Sequence, residues 1–261
     1  MISIIIPTYN EERYLPKLLK SIRAQKFNDY EIIVADNNSQ DKTASIAEKY
    51  NCHVVKGGRP AKARNNGAKI AKGEYLLFLD ADVILPKNFL YKAIKEFQEK
   101  KIHFACTLMK PISNKEIDKM YFEIQNTLYK YTYEIFPYSF GPCILVTKIC
   151  HQKLKGFNEK INIGEDNEYG KRAKKNFKCG AITSTFIKIS IRRFEKEGRA
   201  ELIKKYLQHA VYEQLANLGI KKDVVYEFGD FKKKKNLSEI EKFLEKILQL
   251  IKKGSIKKVG K

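Results

Sequence analysis

Short apolar runs alternate with amphipathic stretches along the first hundred residues, and no other feature restricts the fold as strongly. Residues 2–6 read as a buried strand, and 31–35, 52–55 and 74–79 as further strands. Between them the spacing predicts helices over 11–25, 41–50 and 60–72, and Pro86 opens another to about residue 100. The first would place Leu15, Leu18, Leu19 and Ile22 on one face, with Asn10 as its cap; Asp41 would cap the second. Gly57-Gly58 and Gly73 punctuate the pattern. Strands and helices alternating at this spacing predict a mainly parallel, doubly wound α/β sheet with helices on both faces. In open sheets of this kind ligands bind beyond the carboxyl ends of the strands. Three polar clusters fall there, Thr8-Tyr9-Asn10-Glu11, Asp36-Asn37-Asn38-Ser39 and Asp80-Ala81-Asp82, so the fold would bring them to one edge.

The run Tyr75-Leu76-Leu77-Phe78-Leu79 ends abruptly in two carboxylates one residue apart. Such carboxylates repel unless a cation lies between them. Asp80 and Asp82 are therefore candidates for holding a divalent metal and the phosphates it binds. The second half is less regular. It predicts a Tyr-rich helix over 114–135, a strand over 141–147, a turn at Gly156-Phe157-Asn158-Glu159, a helix opened by Gly164-Glu165-Asp166, and a strand over 180–189. Helices over 195–218 and 237–253 would finish the chain, with Lys232–Lys235 as an exposed linker between them.

With 261 residues and 43% hydrophobic content, the chain can build one large domain or slightly more. No run of about 18 apolar residues occurs, and the start lacks the basic segment of a signal peptide. The five cysteines are scattered without a C-x-x-C pair, so a disulfide or zinc framework is not expected and a reducing cytoplasm is. The formal charge of +21 favours anionic partners, although Lys-rich composition alone needs none. Leu237, Ile240, Phe243, Leu244, Ile247, Leu248 and Ile251 form an apolar stripe flanked by lysines. It would pack on its own domain or a second subunit, or lie on the cytoplasmic face of an anionic membrane.

Five motifs occur in order: Pro7-Thr8-Tyr9-Asn10-Glu11-Glu12, Asp36-Asn37-Asn38-Ser39-Gln40-Asp41-Lys42-Thr43, Arg64-Asn65-Asn66-Gly67, Asp80-Ala81-Asp82 and Gly164-Glu165-Asp166. Each is weak alone; together, in this spacing, they resemble family 2 glycosyltransferases over about residues 1–195. The resemblance implies a GT-A fold, a nucleotide-diphosphate sugar donor (a UDP-sugar favoured), Mg²⁺ or Mn²⁺, and transfer with inversion to a glycan or lipid-linked acceptor. It divides the chain into a catalytic domain over 1–195 and a basic helical extension over 196–261. Within the domain, residues 1–110 would bind the donor and 111–195 the acceptor. Nucleic acid is not an expected partner.

The resemblance also implies roles. Pro7, Thr8, Tyr9 and Glu11 match the loop around base and ribose, although Asn10 and Glu11 also suit helix capping. Asp36 matches the acceptor for the base, or closes an Asx turn; many relatives carry a second acid where this chain has Asn37. Lys62 and Arg64 would face the diphosphate, or Arg64 would orient Asp80; a solvated helix face is the plainer reading. Asp82 would ligate the metal, and Asp80 would reach the ribose or a metal-bound water, with Ala81 between them. Asp166 would take the acceptor's proton, with Glu165 beside it raising the pKa of either acid. Acids at a helix start are also favoured by the macrodipole. If the acceptor is already a phosphate anion, Asp166 would only position it. Arg192, with Arg193, matches a basic pair on a loop closing over the diphosphate. A sugar-nucleotide nucleotidyltransferase and a basic nucleic-acid- or lipid-binding module are the alternatives. The first wants a Gly-rich basic loop after the first strand, where Pro7-Thr8-Tyr9-Asn10 stands, and the second leaves Asp80, Asp82 and Asp166 unexplained.

Overall fold

Ile2, Ile4, Ile5 and Ile6 are all buried, so the first strand is covered on both faces, as a central parallel strand must be. The computed structural model describes residues 1–133, 139–162, 164–199 and 201–203. The described residues fall into two compact units, one of 1–109 with 132–189, the other of 110–131 with the residues from 190 on.

In the first unit, β1 (Ile2–Thr8) pairs in parallel with β2 (Tyr30–Asp36) and β4 (Tyr75–Leu79), and β2 pairs in parallel with β3 (His53–Lys56). The sheet continues through β7 (Cys143–Thr147), β6 (Phe104–Pro111), β8 (Cys179–Ile189) and β5 (Val83–Ile84), in the order β3-β2-β1-β4-β7-β6-β8-β5. Helices cover both faces. The parallel expectation holds through β4, but β7 runs antiparallel to β4 and β6, and β5 antiparallel to β8. An apolar run records burial, not direction, and direction changes where the connection changes. Strands β5 and β6 and the helix α6 (Lys148–Lys153) were not expected; α6 begins where Thr147 Oγ1 accepts the Cys150 N–H (3.2 Å).

The helices follow the predicted periodicity with shorter ends. In α1 (Leu15–Arg23), Leu15, Leu18, Leu19 and Ile22 are buried at the expected spacing. Asn10 does not cap it: Asn10 has a left-handed backbone and accepts the Gln40 N–H instead (2.8 Å). Asp41 accepts the N–H of Thr43, the first residue of α2 (Thr43–Lys49), at 2.9 Å. Helix α3 (Pro60–Ile70) presses on β1 at Gly67, where a Cβ would lie 2.5 Å from Ile5 Cγ2. Helix α4 (Phe89–Glu99) packs on β8, and α7 (Glu165–Asn176) opens after Gly164.

In the second unit, the rings of Tyr121 and Phe122 on α5 (Glu116–Thr132) pack with Phe194 on α8 (Arg192–Glu197). Asp118, fully buried, accepts from Ser113 Oγ (2.5 Å) and Arg199 Nε (3.1 Å). The expected helix over 237–253 with its apolar stripe, the Lys232–Lys235 linker, and most of the expected helix over 195–218 lie outside the described residues. No described helix is long and apolar enough to cross a membrane.

The edge of the first unit is fastened by a charge. Glu96 on α4 is buried and accepts from Thr183 N (2.9 Å), Ser184 N (2.9 Å), Ser184 Oγ (2.6 Å) and Lys100 Nζ (2.6 Å). Burial opposes ionisation, yet these donors outweigh it and bring the Glu96 carboxyl down to about 2. A carboxyl depressed in the folded state stabilises above the ordinary carboxylate range and loses that contribution as pH falls towards 2. Glu96→Gln removes it and leaves buried donors short of a partner, at a cost of about 1–3 kcal/mol. Thermal melts should show a lower Tm at pH 7, and a smaller loss of Tm between pH 5 and pH 2 than in the wild type.

Candidate functional site

The parallel strands β1, β2 and β4 deliver polar residues to one edge. Thr8 and Asp36 are register partners at the ends of β1 and β2, and Thr8 Oγ1 donates to Asp36 Oδ1 (2.8 Å). The Ser39 hydroxyl donates to the same oxygen (2.6 Å) and the Ser39 N–H to Oδ2 (2.9 Å). Asp36 therefore ties down the loop after β2 through Ser39, three residues on rather than the two of an Asx turn, and its carboxylate still has acceptor capacity on Oδ2. Beside it, Tyr9 is 58% exposed, a ring with an uncovered face. Pro7 lies within β1, and the Glu11 N–H donates to Thr43 Oγ1 (2.8 Å), which ties this loop to the start of α2.

Asp80, Ala81 and Asp82 follow β4 directly. Ala81 is buried, while Asp80 and Asp82 are half-buried. The Asp80 N–H donates to Pro142 O (3.1 Å).

Arg64 joins these strand ends to the start of α7. It lies on α3, is only 3% exposed, and is not on a solvated helix face. Its Nη1 donates to Glu165 Oε1 (2.8 Å), and its Nη2 to Asp80 Oδ1 (2.9 Å) and to Gly141 O (3.4 Å). Its Nε is buried without a hydrogen bond, and the guanidinium stands 5.4 Å from the Phe157 ring centroid. Burial works against the charge, but Asp80, Glu165 and Asp166 together raise its pKa further. The geometry is that of an orienting residue. Lys62, two residues earlier, is exposed and leans its stem over Gly58.

Asp166 is the second residue of α7, and burial pushes its carboxyl above the ordinary value. Arg64 opposes that rise, and Glu165 adds to it. A carboxyl of raised pKa is a stronger proton acceptor, as a general base needs. Glu165 gives its charge to Arg64, so the two acids have different surroundings despite their adjacency.

Several residues that hold this arrangement were not singled out by sequence reasoning. The Asn65 side chain accepts the Phe157 N–H (2.8 Å) and donates to Phe157 O (2.9 Å), locking the loop before α7 to α3. Its place beside Arg64 in the third motif was the only sequence signal. Asn167 Oδ1 accepts the Ser139 N–H (3.0 Å), and Gly141 lies against Asp166; neither has a local sequence signal. Arg192 opens α8 in the second unit, so it stands on a helix rather than a loop. Arg193 pairs with Glu197 (2.6 Å).

The described residues contain no cluster of three or more His, Cys, Asp and Glu side chains fit to enclose a metal. Two half-buried carboxylates at a strand end suit a different kind of site. Mg²⁺ and similar hard cations take one or two carboxylates and fill the remaining positions with substrate phosphates and water. Asp80 and Asp82 fit that pattern, with Asp80 Oδ1 already fixed by Arg64.

The sequence model of the family described as Glycosyl transferase family 2 matches residues 3–155. The poly(ribitol-phosphate) beta-N-acetylglucosaminyltransferase TarS of Staphylococcus aureus is 34% identical over 131 residues, 46% of this chain and 23% of that protein. A GalNAc(5)-diNAcBac-PP-undecaprenol beta-1,3-glucosyltransferase of Campylobacter jejuni is 36% identical over 111 residues, 39% of this chain and 36% of that one. The chain thus spans well under half the length of these relatives. Among solved structures, residues 1–349 of TarS in complex with UDP-GlcNAc superpose with a TM-score of 0.59 at 26% identity, covering 72% of this chain and 58% of that one. A mannosyltransferase of Pyrobaculum calidifontis, in complex with GDP-Man and Mn²⁺, gives 0.65 at 16% identity, covering all of this chain and 76% of its own, a likeness of fold.

Replacing the central cation tests the site's electrostatics. Arg64→Met leaves Asp80, Glu165 and Asp166 together without their counter-charge. It should cost about 3 kcal/mol at pH 7, the scale for breaking a buried pair. The uncompensated acids then bind protons more readily folded than unfolded, so the deficit should shrink as pH falls through the carboxylate range. Urea melts of both proteins from pH 4 to pH 8 read this out.

Proposed function

The chain belongs to glycosyl transferase family 2 and has its GT-A fold, and on that footing we propose that it moves a sugar from a nucleotide-diphosphate donor to a glycan or lipid-linked acceptor, with inversion. The observation that carries the reading is the buried Arg64, which hydrogen-bonds the donor-side carboxylate Asp80 and Glu165 and carries charge opposite to the neighbouring Asp166. A displacement reaction needs a charged leaving group on one side of the reacting carbon and a proton acceptor on the other, and this cation sets the two carboxylate groups in a fixed relation.

The donor's base and ribose meet Thr8, Tyr9, Glu11 and Asp36. The open Tyr9 ring offers a stacking face, and Asp36 Oδ2 an acceptor for a base N–H. A UDP-sugar is favoured because the TarS structure at 26% identity was solved with UDP-GlcNAc. A GDP-sugar is the second choice, from the mannosyltransferase complex with GDP-Man. Lys62, exposed at the start of α3, reaches towards the diphosphate. Asp82, with Asp80, would hold Mg²⁺ or Mn²⁺, and a bound cation there supplies positive charge to the departing nucleotide diphosphate. Asp166 takes the proton from the acceptor hydroxyl as its oxygen attacks the anomeric carbon.

The acceptor is less constrained. TarS and the Campylobacter enzyme are named for a polyol-phosphate polymer and an undecaprenol-linked glycan, respectively. A chain of formal charge +21 suits either kind of anionic acceptor. We also propose that the catalytic part spans residues 1–195 with a basic extension after it, and that the protein works in the cytoplasm at the membrane face where lipid-linked acceptors lie.

Calorimetry with UDP- and GDP-sugars, with and without Mn²⁺, tests the donor. Asp82→Asn should remove the metal-dependent part of binding, and unchanged metal-dependent affinity would overturn its role. Asp166→Asn should keep donor affinity within about twofold and reduce transfer by at least about a hundredfold, within the range for general-base catalysis. Wild-type transfer should fall on the acid side at a pH above the ordinary carboxylate range, because burial raises the Asp166 pKa and the base works deprotonated. Asp166→Asn transferring at the normal rate would show that another group accepts the proton.

A further inference from the structure

The Asp166 carboxylate rests on the main chain of Gly141. The Gly141 backbone favours the charged form of that carboxylate, and the Gly141 carbonyl accepts from Arg64 Nη2 (3.4 Å). One residue without a side chain therefore touches both the acid and the cation that balances it.

A side chain here would crowd the acid. A Cβ on Gly141 would lie 2.9 Å from Asp166 Oδ2, 3.5 Å from its Cγ and 3.6 Å from Arg64 Nη2. The first distance is well inside carbon–oxygen contact, so something would have to move. The strap cannot withdraw easily. Phe140 N donates to Cys106 Sγ (3.3 Å), Ser139 N to Asn167 Oδ1 (3.0 Å), and Pro142 O accepts from Asp80 N (3.1 Å). Asp166 is the part that gives, although its Oδ1 accepts the Asn167 N–H (2.9 Å). Backbone strain is not the reason for glycine here. The glycines with positive φ among the described residues are Gly58, Gly156, Gly164 and Gly198. Position 141 can accept alanine in its backbone and refuses it only at the carboxylate.

We propose that Gly141 is a positioning residue for transfer, seating the Asp166 carboxylate against its bare Cα where a side chain would crowd it. The inference rests on the reading of Asp166 as the proton acceptor. A methyl group at 141 displaces the acid from this seat. Misplacement of a catalytic group by about 1 Å can cost about a hundredfold in rate, so a smaller displacement still registers in kcat.

The experiment compares Gly141→Ala, Asp166→Asn, Asp166→Ala and the double substitution Gly141→Ala with Asp166→Ala in the full chain. Gly141→Ala should lower kcat at least tenfold and leave donor KM within twofold. Any change it makes to Tm should vanish in the Asp166→Ala background, where no carboxylate stands in its way. The inference is overturned if Gly141→Ala keeps full kcat while Asp166→Asn has lost transfer. It is equally overturned if Gly141→Ala weakens donor binding, or lowers Tm as much in the Asp166→Ala background as in the wild type, since the strap would then be a structural element only. If Asp166→Asn itself transfers normally, the reading of the base fails first and this inference falls with it.

Discussion

A guanidinium keeps its proton at any physiological pH, and one that is cut off from water must be met by anions. Arg64 is such a group. Its position on α3 is fixed by the packing of that helix on β1, where Gly67 lets the two backbones approach. Once Arg64 is buried there, Asp80 at the end of β4 and Glu165 at the start of α7 become its required partners. The hydrophobic core thus dictates where a positive charge lies, and the charge in turn dictates where the acids lie. A buried ion pair often contributes little net stability over apolar packing. Its value here is geometric, because it joins two carboxylate groups from distant parts of the sequence in one fixed arrangement.

The neighbouring contacts serve the same arrangement. Asn65 binds the Phe157 peptide on both its N–H and C=O, so the loop that leads into α7 cannot drift from the helix that carries Arg64. Phe157 packs on Phe78 of β4 and on Tyr169 of α7, and His151 donates to or accepts from the Tyr169 hydroxyl at 2.8 Å. Burial brings His151 down to about 4, so it stays neutral and packs as an aromatic ring. These rings form an apolar layer from β4 to α7, with the Arg64 guanidinium against Phe157.

Much of the fold was legible in the sequence. Strand–helix alternation indicated four parallel strands. It placed Thr8 and Asp36 at the carboxyl ends of β1 and β2, and Asp80, ahead of Asp82, after β4, where burial on both faces produces continuous apolar runs that are easy to read. The largely exposed β3 was readable from its spacing alone. The stripe Leu15, Leu18, Leu19 and Ile22 was equally direct. Capping was not: Asn10 has a left-handed backbone and serves the neighbouring loop. The antiparallel entry of β7 and the short strand β5 were also beyond reach, since neither direction nor a two-residue pairing leaves a periodic trace.

The residue chemistry of the site belongs to the sequence: paired acids after an apolar run, a Glu-Asp pair at a helix start, and an Arg-Asn pair on a helix between. The family itself is shown by the match of its sequence model to residues 3–155. The tertiary structure alone decided that Arg64 faces inward rather than towards solvent, that Glu165 and not Asp166 takes its hydrogen bond, and that Gly141 is where the second acid rests. Such choices depend on contacts between residues up to a hundred positions apart, and a sequence records the partners without recording the distances that make them partners.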